Sequence, residues 1–300
     1  MALTQEQLQA RKIGGSDVAT ILGLNPYKTA LELYHEKRGT LDRPDLSENF
    51  AVEAGNVLED GIAALAASKM TRKWGREVKL RRSNLTLVNP KYEWLTIHID
   101  RDVVGEDRGV ECKNVGSRAA KHWGEEGSDE IPDYYLPQPH AYMLVKDYPV
   151  WTVAAYFGGD DLRLFEIESS KDWRELIVEA THDFWFYQVL KGVPPPLDLD
   201  APRAQQVLQR VYPGTDGTIV PGDADAEHWF YVLLEAKRKV DAYESVASAA
   251  KAHLLDKMKE AAVLELNNGG KLTRKRVTRK GYTVADTEYV EARITKPKGE

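Results

Sequence analysis

Apolar and polar residues alternate most clearly between Leu95 and Asn114. Leu95, Ile97 and Ile99 share one face of a strand, and Thr96, His98 and Asp100 share the other. A turn follows in Gly105-Glu106-Asp107-Arg108-Gly109. On the next strand Val110 and Cys112 point one way, and Glu111 and Lys113 the opposite way. The pattern predicts a β-hairpin from Thr96 to Asn114. Further strands are expected at 75–81, 84–88, 149–157 and 162–168.

Helical patterns surround these strands. Residues 4–12 read as a short helix capped by Thr4 and broken by Gly14-Gly15. Ser16 can cap the next helix, with Asp17 in its first turn. Asn25-Pro26 precedes a helix reaching Lys37, and a longer helix is expected over 47–70. Leu58, Ile62, Leu65 and Ala66 form the buried stripe of that longer helix. Glu59 sits at the stripe's edge, one turn after Gly55, where the missing side chain permits a close approach. A helix around 132–146 follows Ile131-Pro132. Another spans 171–191 and stops at Gly192-Val193-Pro194-Pro195-Pro196. The Pro/Asp-rich stretch Val193–Pro202 is the candidate boundary, dividing the chain into 1–200 and 201–300. Beyond it, 224–263 reads as one long helix and 264–295 as a small β-ribbon. The assembly expected is α/β (α+β): a central mixed sheet flanked by helices, with a C-terminal helical extension.

Composition narrows the classes. In 300 residues the apolar fraction is 42% and the charged fraction 29%, values of a globular protein. No apolar run approaches a membrane span, and MALTQEQLQARK lacks the apolar core of a secretory signal. A cytoplasmic protein is expected. The one cysteine, Cys112, excludes an intramolecular disulfide framework and a Cys-rich zinc site, and it reads as a small core residue. The net charge of −6 disfavours nucleic acid only mildly, because basic residues cluster. One cluster is Arg72, Lys73, Arg76, Lys79, Arg81 and Arg82. The other is Lys271, Arg274, Lys275, Arg276, Arg279 and Lys280.

The hairpin carries candidate chemistry. Asp100, Glu111 and Lys113 can converge on one face. Two carboxylates suit Mg²⁺, a hard cation that takes oxygen ligands and keeps several waters. A lysine beside them can orient or deprotonate an attacking water, the chemistry of phosphodiester hydrolysis.

An ordered set of residues gives a wider resemblance. It comprises Arg11, then Ile13-Gly14-Gly15-Ser16-Asp17, Gly23-Leu24-Asn25-Pro26-Tyr27, Gly55 with Leu58-Glu59, Asp100 and Glu111-Cys112-Lys113. Ile131-Pro132, Tyr135, Gln138, Phe184-Trp185 and Gly192 with Pro194-Pro195 complete it. The chain resembles the YqaJ-like phage recombinases, the lambda-exonuclease branch of the PD-(D/E)XK nuclease superfamily. The resemblance implies a restriction-endonuclease-like core. It implies that Asp100, Glu111 and the Cys112 carbonyl ligate Mg²⁺, with Mn²⁺ able to substitute. Glu59 would contribute directly or through water, Lys113 would activate the nucleophile, and Gln138 would support the site. Arg11, Ser16 and Tyr135 would contact DNA near a 5′-phosphate.

The implied activity is 5′→3′ digestion of one strand at double-stranded DNA ends, leaving 3′ single strands for recombination. A single-strand annealing recombinase would be the partner, and a homo-oligomer, a trimer by resemblance, would form in a bacterial host carrying the phage gene. An endonuclease or nickase, and a non-catalytic DNA-binding recombination protein, remain alternatives. Two departures stand out. Arg101 occupies the position after the catalytic aspartate where the family has glycine, and Asp102 follows as a second acid. Gln138-Pro139-His140 replaces Gln-x-Gln, and its proline moves the expected helix start to near Leu136. His98, His140 and Asp102 carry no assigned role.

Overall fold

The computed structural model describes residues 11–278 and Lys280. The helix expected over 4–12 with its Thr4 cap, the last part of the 264–295 ribbon, and Arg279 lie outside the described residues. Two compact units meet between Val211 and Tyr212.

The first unit is built on a five-stranded sheet in the order β2 (Leu80–Arg82), β5 (Arg101–Val103), β6 (Arg108–Asn114), β7 (Val150–Gly158), β8 (Asp161–Glu168). β6 and β7 run parallel and the other pairs antiparallel, so the sheet is mixed. A parallel pair needs a long crossover. Here it contains helix α4 (Pro137–Lys146). A smaller sheet joins β1 (Ile13–Gly14) and β3 (Leu87–Val88) to the two sides of β4 (Leu95–Ile97). Short helices α1 (Val18–Ile21) and α2 (Ala30–Arg38) follow β1. Thr29 caps α2 reciprocally with Glu32.

Helices cover both faces of the large sheet. On one face α3 (Phe50–Trp74) sets Ile62, Ala66 and Met70 against Val103, Val110, Ala154 and Leu164. Full burial of a side chain such as Ile62 or Met70 contributes roughly 1.5–3 kcal/mol. On the other face α4 packs Tyr142, Met143 and Leu144 with Trp151, Val153, Phe165 and Ile167. Asn49 caps α3 by accepting from the Ala51 N–H at 3.0 Å, and Gly75 ends it in the left-handed conformation at φ 67°.

The structure corrects several boundaries. The strand expected over Leu95–Asp100 stops at Ile97, and the strand paired with β6 is Arg101–Val103. Ile99 remains buried, so the apolar alternation runs unbroken while the backbone passes from one sheet to the other. The period of two reports which side a residue faces, and it is silent on which strand the backbone bonds. α3 runs past residue 70 to Trp74, and the strand expected at 75–81 starts only at Leu80. Its buried stripe is Ile62, Ala63, Ala66 and Met70, whereas Leu58 and Leu65 are 38% and 51% exposed. α4 starts at Pro137 with proline in its first turn, where no N–H is needed.

α5 (Lys171–His182) is capped by Ser170 and continues into a π-helical segment, Asp183–Leu190, that buries Phe184, Trp185 and Val189. α6 (Ala204–Val211) lies beyond the Pro/Asp stretch yet belongs to the first unit. Its Val207 is buried, and its Arg210 donates to the buried Glu32 at 2.7 Å. The second unit holds α7 (Ala224–Met258), capped by Asp223, and an antiparallel hairpin of β9 (Val263–Glu265) and β10 (Lys271–Thr273). Among the described residues no helix is long and apolar enough to cross a membrane.

Gly109 faces Trp151 across β6 and β7, and a Cβ at Gly109 would lie 2.2 Å from the indole. Trp151 is fully buried and has no room to retreat. Gly109→Ala is expected to cost about 1–3 kcal/mol of stability by overpacking, measured by urea denaturation.

Candidate active site

The turn between β5 and β6 brings two carboxylates together. Arg101 pairs with Val110, so Asp100 and Glu111 stand at the next rung. Asp100 lies at the bend joining the two sheets. Its Oδ2 accepts from the Cys112 N–H at 2.8 Å. Burial first, and then the negative charge of Glu111, push its carboxyl up to about 7, against the lowering effect of that hydrogen bond.

Glu111 is buried, 3% exposed. Its Oε1 accepts from Lys113 Nζ at 2.7 Å, while its Oε2 is buried with no hydrogen-bond partner. Lys113 also donates to Gln138 Oε1 at 2.9 Å and lies 5.2 Å from the centre of the Tyr135 ring. Gln138 in turn donates to the Tyr142 hydroxyl. Gln138 and Tyr142 are four residues apart on α4, one above the other. Burial and Glu111 hold the Tyr142 phenol protonated well above its ordinary value. A Cβ on Gly15 would meet the Tyr142 ring at 2.6 Å, so glycine there is what admits the ring.

The remaining candidates fall into different places. Glu59 accepts from Arg101 Nη1 at 2.7 Å, with Arg82 3.8 Å away. Gly55, one turn earlier, faces open space. Cys112 packs with the α3-side core; burial, then Asp100 and Glu111, raise its thiol pKa, which suits a core residue and not a nucleophile. Asp102 is buried beside Lys146 at 3.1 Å, the Tyr148 hydroxyl at 3.4 Å and Arg81 at 3.7 Å, a structural ion pair away from Glu111. His140 is buried and stacked on Trp173 at 4.8 Å, outside the carboxylate cluster.

Arg11 and Ser16 come together in a groove of about 860 Å³ that also includes Lys12, Arg43 and His98. Ser16 is not the helix cap expected of it. It sits inside a 3₁₀ turn, and Asp17 instead accepts from the Gly14 N–H at 2.9 Å and from the buried Lys37 at 2.6 Å. His98 also lines the smaller cleft holding Glu59 and Asp100, so one residue joins the groove to the carboxylates. Tyr135 lies beside Lys113, with its ring 5.4 Å from that of Trp123, and does not line the groove.

The basic cluster from Arg72 to Arg82 is largely neutralised. Lys73, Arg76, Lys79, Arg81 and Arg82 each meet an acid, and Arg72 donates to Ser68. The sequence reading missed the roles of Arg101, Tyr142 and Lys37. Tyr142 alone carried a signal, its four-residue spacing from Gln138.

Among the described residues no group of three or more His, Cys, Asp or Glu side chains is arranged to hold a metal ion. Lys113 and Arg101 engage two of the nearby acids. The donor set still fits a hydrated Mg²⁺. Asp100 and Glu111 are two hard oxygen ligands, and the unpartnered Glu111 Oε2 is an acceptor that a cation would satisfy.

Residues 6–149 match the family model of the YqaJ-like viral recombinase domain. Over 259 residues the chain is 32% identical to the uncharacterized protein YqaJ of Bacillus subtilis, covering 85% of this chain and 77% of that one. The chain belongs to the YqaJ-like viral recombinase family. Similar solved structures include the alkaline exonuclease LHK-Exo of Laribacter hongkongensis, 18% identical, covering 63% of this chain and 93% of that one with a TM-score of 0.46. A phage-related exonuclease of Haemophilus somnus 129PT is 15% identical, covering 60% and 96% with a TM-score of 0.42. The family match spans the groove and the Asp100–Gln138 cluster but stops at residue 149, before β7, β8 and the whole second unit.

His140 gives this YqaJ-like chain a measurable acid sensitivity. Burial lowers its pKa to about 4 from 6.5, partly offset by Asp129. Between those values the unfolded chain takes up a proton that the folded chain refuses, so stability is full above pH 6.5 and falls as pH drops towards 4. The loss is expected to be about 2 kcal/mol at pH 5. Asp100, raised to about 7, gains stability over the same range, so the His140 part is read from the variant: urea denaturation at pH 7 and pH 5 should show acidification favouring His140→Gln over wild type by about 2 kcal/mol.

Proposed function

We propose that this chain is a Mg²⁺-dependent deoxyribonuclease that digests one strand of duplex DNA from an end, 5′→3′, and leaves a 3′ single strand for recombination. The observation that carries the proposal is the buried pair Asp100 and Glu111 with the Lys113 ammonium between Glu111 and Gln138. Glu111 Oε2 is buried with no hydrogen-bond partner of normal geometry, an acceptor that a cation would satisfy. Membership of a viral recombinase family supports the setting. The direction of digestion, a ring of copies and an annealing partner rest on the family resemblance alone and belong to the same proposal.

In this reading Asp100 and Glu111 hold the cation. Bound Mg²⁺ supplies Lewis acidity at the phosphate and a lowered pKa for water. Lys113, held by Glu111 and Gln138, orients the attacking water and offsets charge on the scissile phosphate. The Tyr142 hydroxyl keeps Gln138 in place. The groove receives the 5′ end: Arg11, Lys12 and Arg43 provide positive charge, and Lys37 neutralises Asp17, leaving Asp42 as its acid without such a partner. Because most of the Arg72–Arg82 cluster is paired internally, the groove is the better candidate for phosphate contact.

The test uses linear duplexes labelled at either end, with and without a 5′-phosphate, beside closed circular DNA in Mg²⁺. Label at the 5′ end should be released first, a 5′-phosphate should speed digestion, and circles should survive. Lys113→Ala should slow cleavage by about 10²–10⁴-fold in a chain that still folds, as circular dichroism would show. Cleaved circles would point to an endonuclease on the same fold, and full activity in Lys113→Ala would remove the catalytic assignment.

A further inference from the structure

We infer that the site takes a single divalent cation, held by Asp100 and Glu111, because Arg101 places a fixed positive charge on the third nearby acid, Glu59, and withholds it from a second ion. The inference rests on the nuclease reading above.

Arg101 follows Asp100 directly, and its side chain is only 5% exposed. Nη1 donates to Glu59 Oε1 and to the Asp100 carbonyl, both at 2.7 Å, and Nη2 donates to Asp60. Arg82 adds a second guanidinium, 3.8 Å from Glu59 and 3.2 Å from Asp60. A guanidinium does not lose its proton in a protein, so this pairing persists at every working pH. A cation that recruited Glu59 would have to strip it from Arg101 and sit beside that buried guanidinium, which would keep only Asp60 and the Asp100 carbonyl as acceptors.

The Asp100–Glu111 pair differs in kind. Of the pair's oxygens, Lys113 engages Glu111 Oε1 and the Cys112 N–H engages Asp100 Oδ2. Glu111 Oε2 is left over, and like-charge repulsion between the two carboxylates favours one shared cation. Lys113 and Arg101, which engage Glu111 and the Asp100 carbonyl, are fixed positive charges that would repel a second divalent ion. Arg101 is thus a positioning residue: it withholds Glu59 and braces the Asp100 backbone.

Calorimetric titration of the full chain with MnCl₂, without DNA, decides the matter. Wild type should bind one Mn²⁺ per chain. Asp100→Asn and Glu111→Gln should each weaken binding at least about tenfold, and Glu59→Gln should change it less than about twofold. Arg101→Gly combined with Arg82→Ala, since both guanidiniums meet these acids, should free Glu59 and Asp60 and raise the count to two, and adding Glu59→Gln should return it to one. Two ions per wild-type chain, or a tenfold loss in Glu59→Gln (about 1.4 kcal/mol), would overturn the inference while leaving the nuclease reading intact. These two results stand even if Arg101→Gly fails to fold. Absence of any Mn²⁺ binding in wild type would sink both.

Discussion

Two carboxylates buried together, Asp100 and Glu111, set the electrostatic demand that the first unit must meet. Each disfavours the charge of the other, and burial adds to the cost. The surroundings answer in graded fashion. A backbone N–H serves Asp100, an ammonium serves one oxygen of Glu111, and the second Glu111 oxygen is left without a partner. One further acid, Glu59, is handed to a buried guanidinium. The result is one buried carboxylate oxygen without a hydrogen-bond partner, with neighbours that are themselves positive.

Close approaches make that arrangement possible. The small sheet and α4 converge where Gly15 leaves space for the Tyr142 ring, and the ring's hydroxyl fixes Gln138 and hence Lys113. Gly109 similarly admits Trp151 beneath the strand that carries Glu111. Neither glycine needs a positive φ at its position; each is required for lack of a side chain. Core packing and site geometry therefore depend on the same few contacts, and small volume changes there would displace the lysine.

Charge is distributed with similar economy of reach. Basic residues from the end of α3 into β2 look in sequence like a polyanion surface, yet acids on β5, β8, the β5–β6 turn and α3 itself meet most of them. The groove with Arg11 and Ser16 is less conspicuous in sequence, but it connects to the carboxylates through His98. Proximity to the buried carboxylates distinguishes the two better than the number of lysines and arginines.

The amino-acid sequence by itself determined the alternation around Asp100 and Glu111, the mixed α/β class and the family. These follow from local periodicity and turn chemistry, which act within a few residues. Tertiary structure decided where the strand after Leu95 changes sheets, why Asp102 serves Lys146 and Tyr148, and why α6 belongs with the first unit. It also decided the fate of Glu59, since Arg101 lies 42 residues away in the chain. Side-chain alternation tells which way a residue faces. Which charge it meets depends on distances between segments far apart in sequence, and only the packed fold sets those.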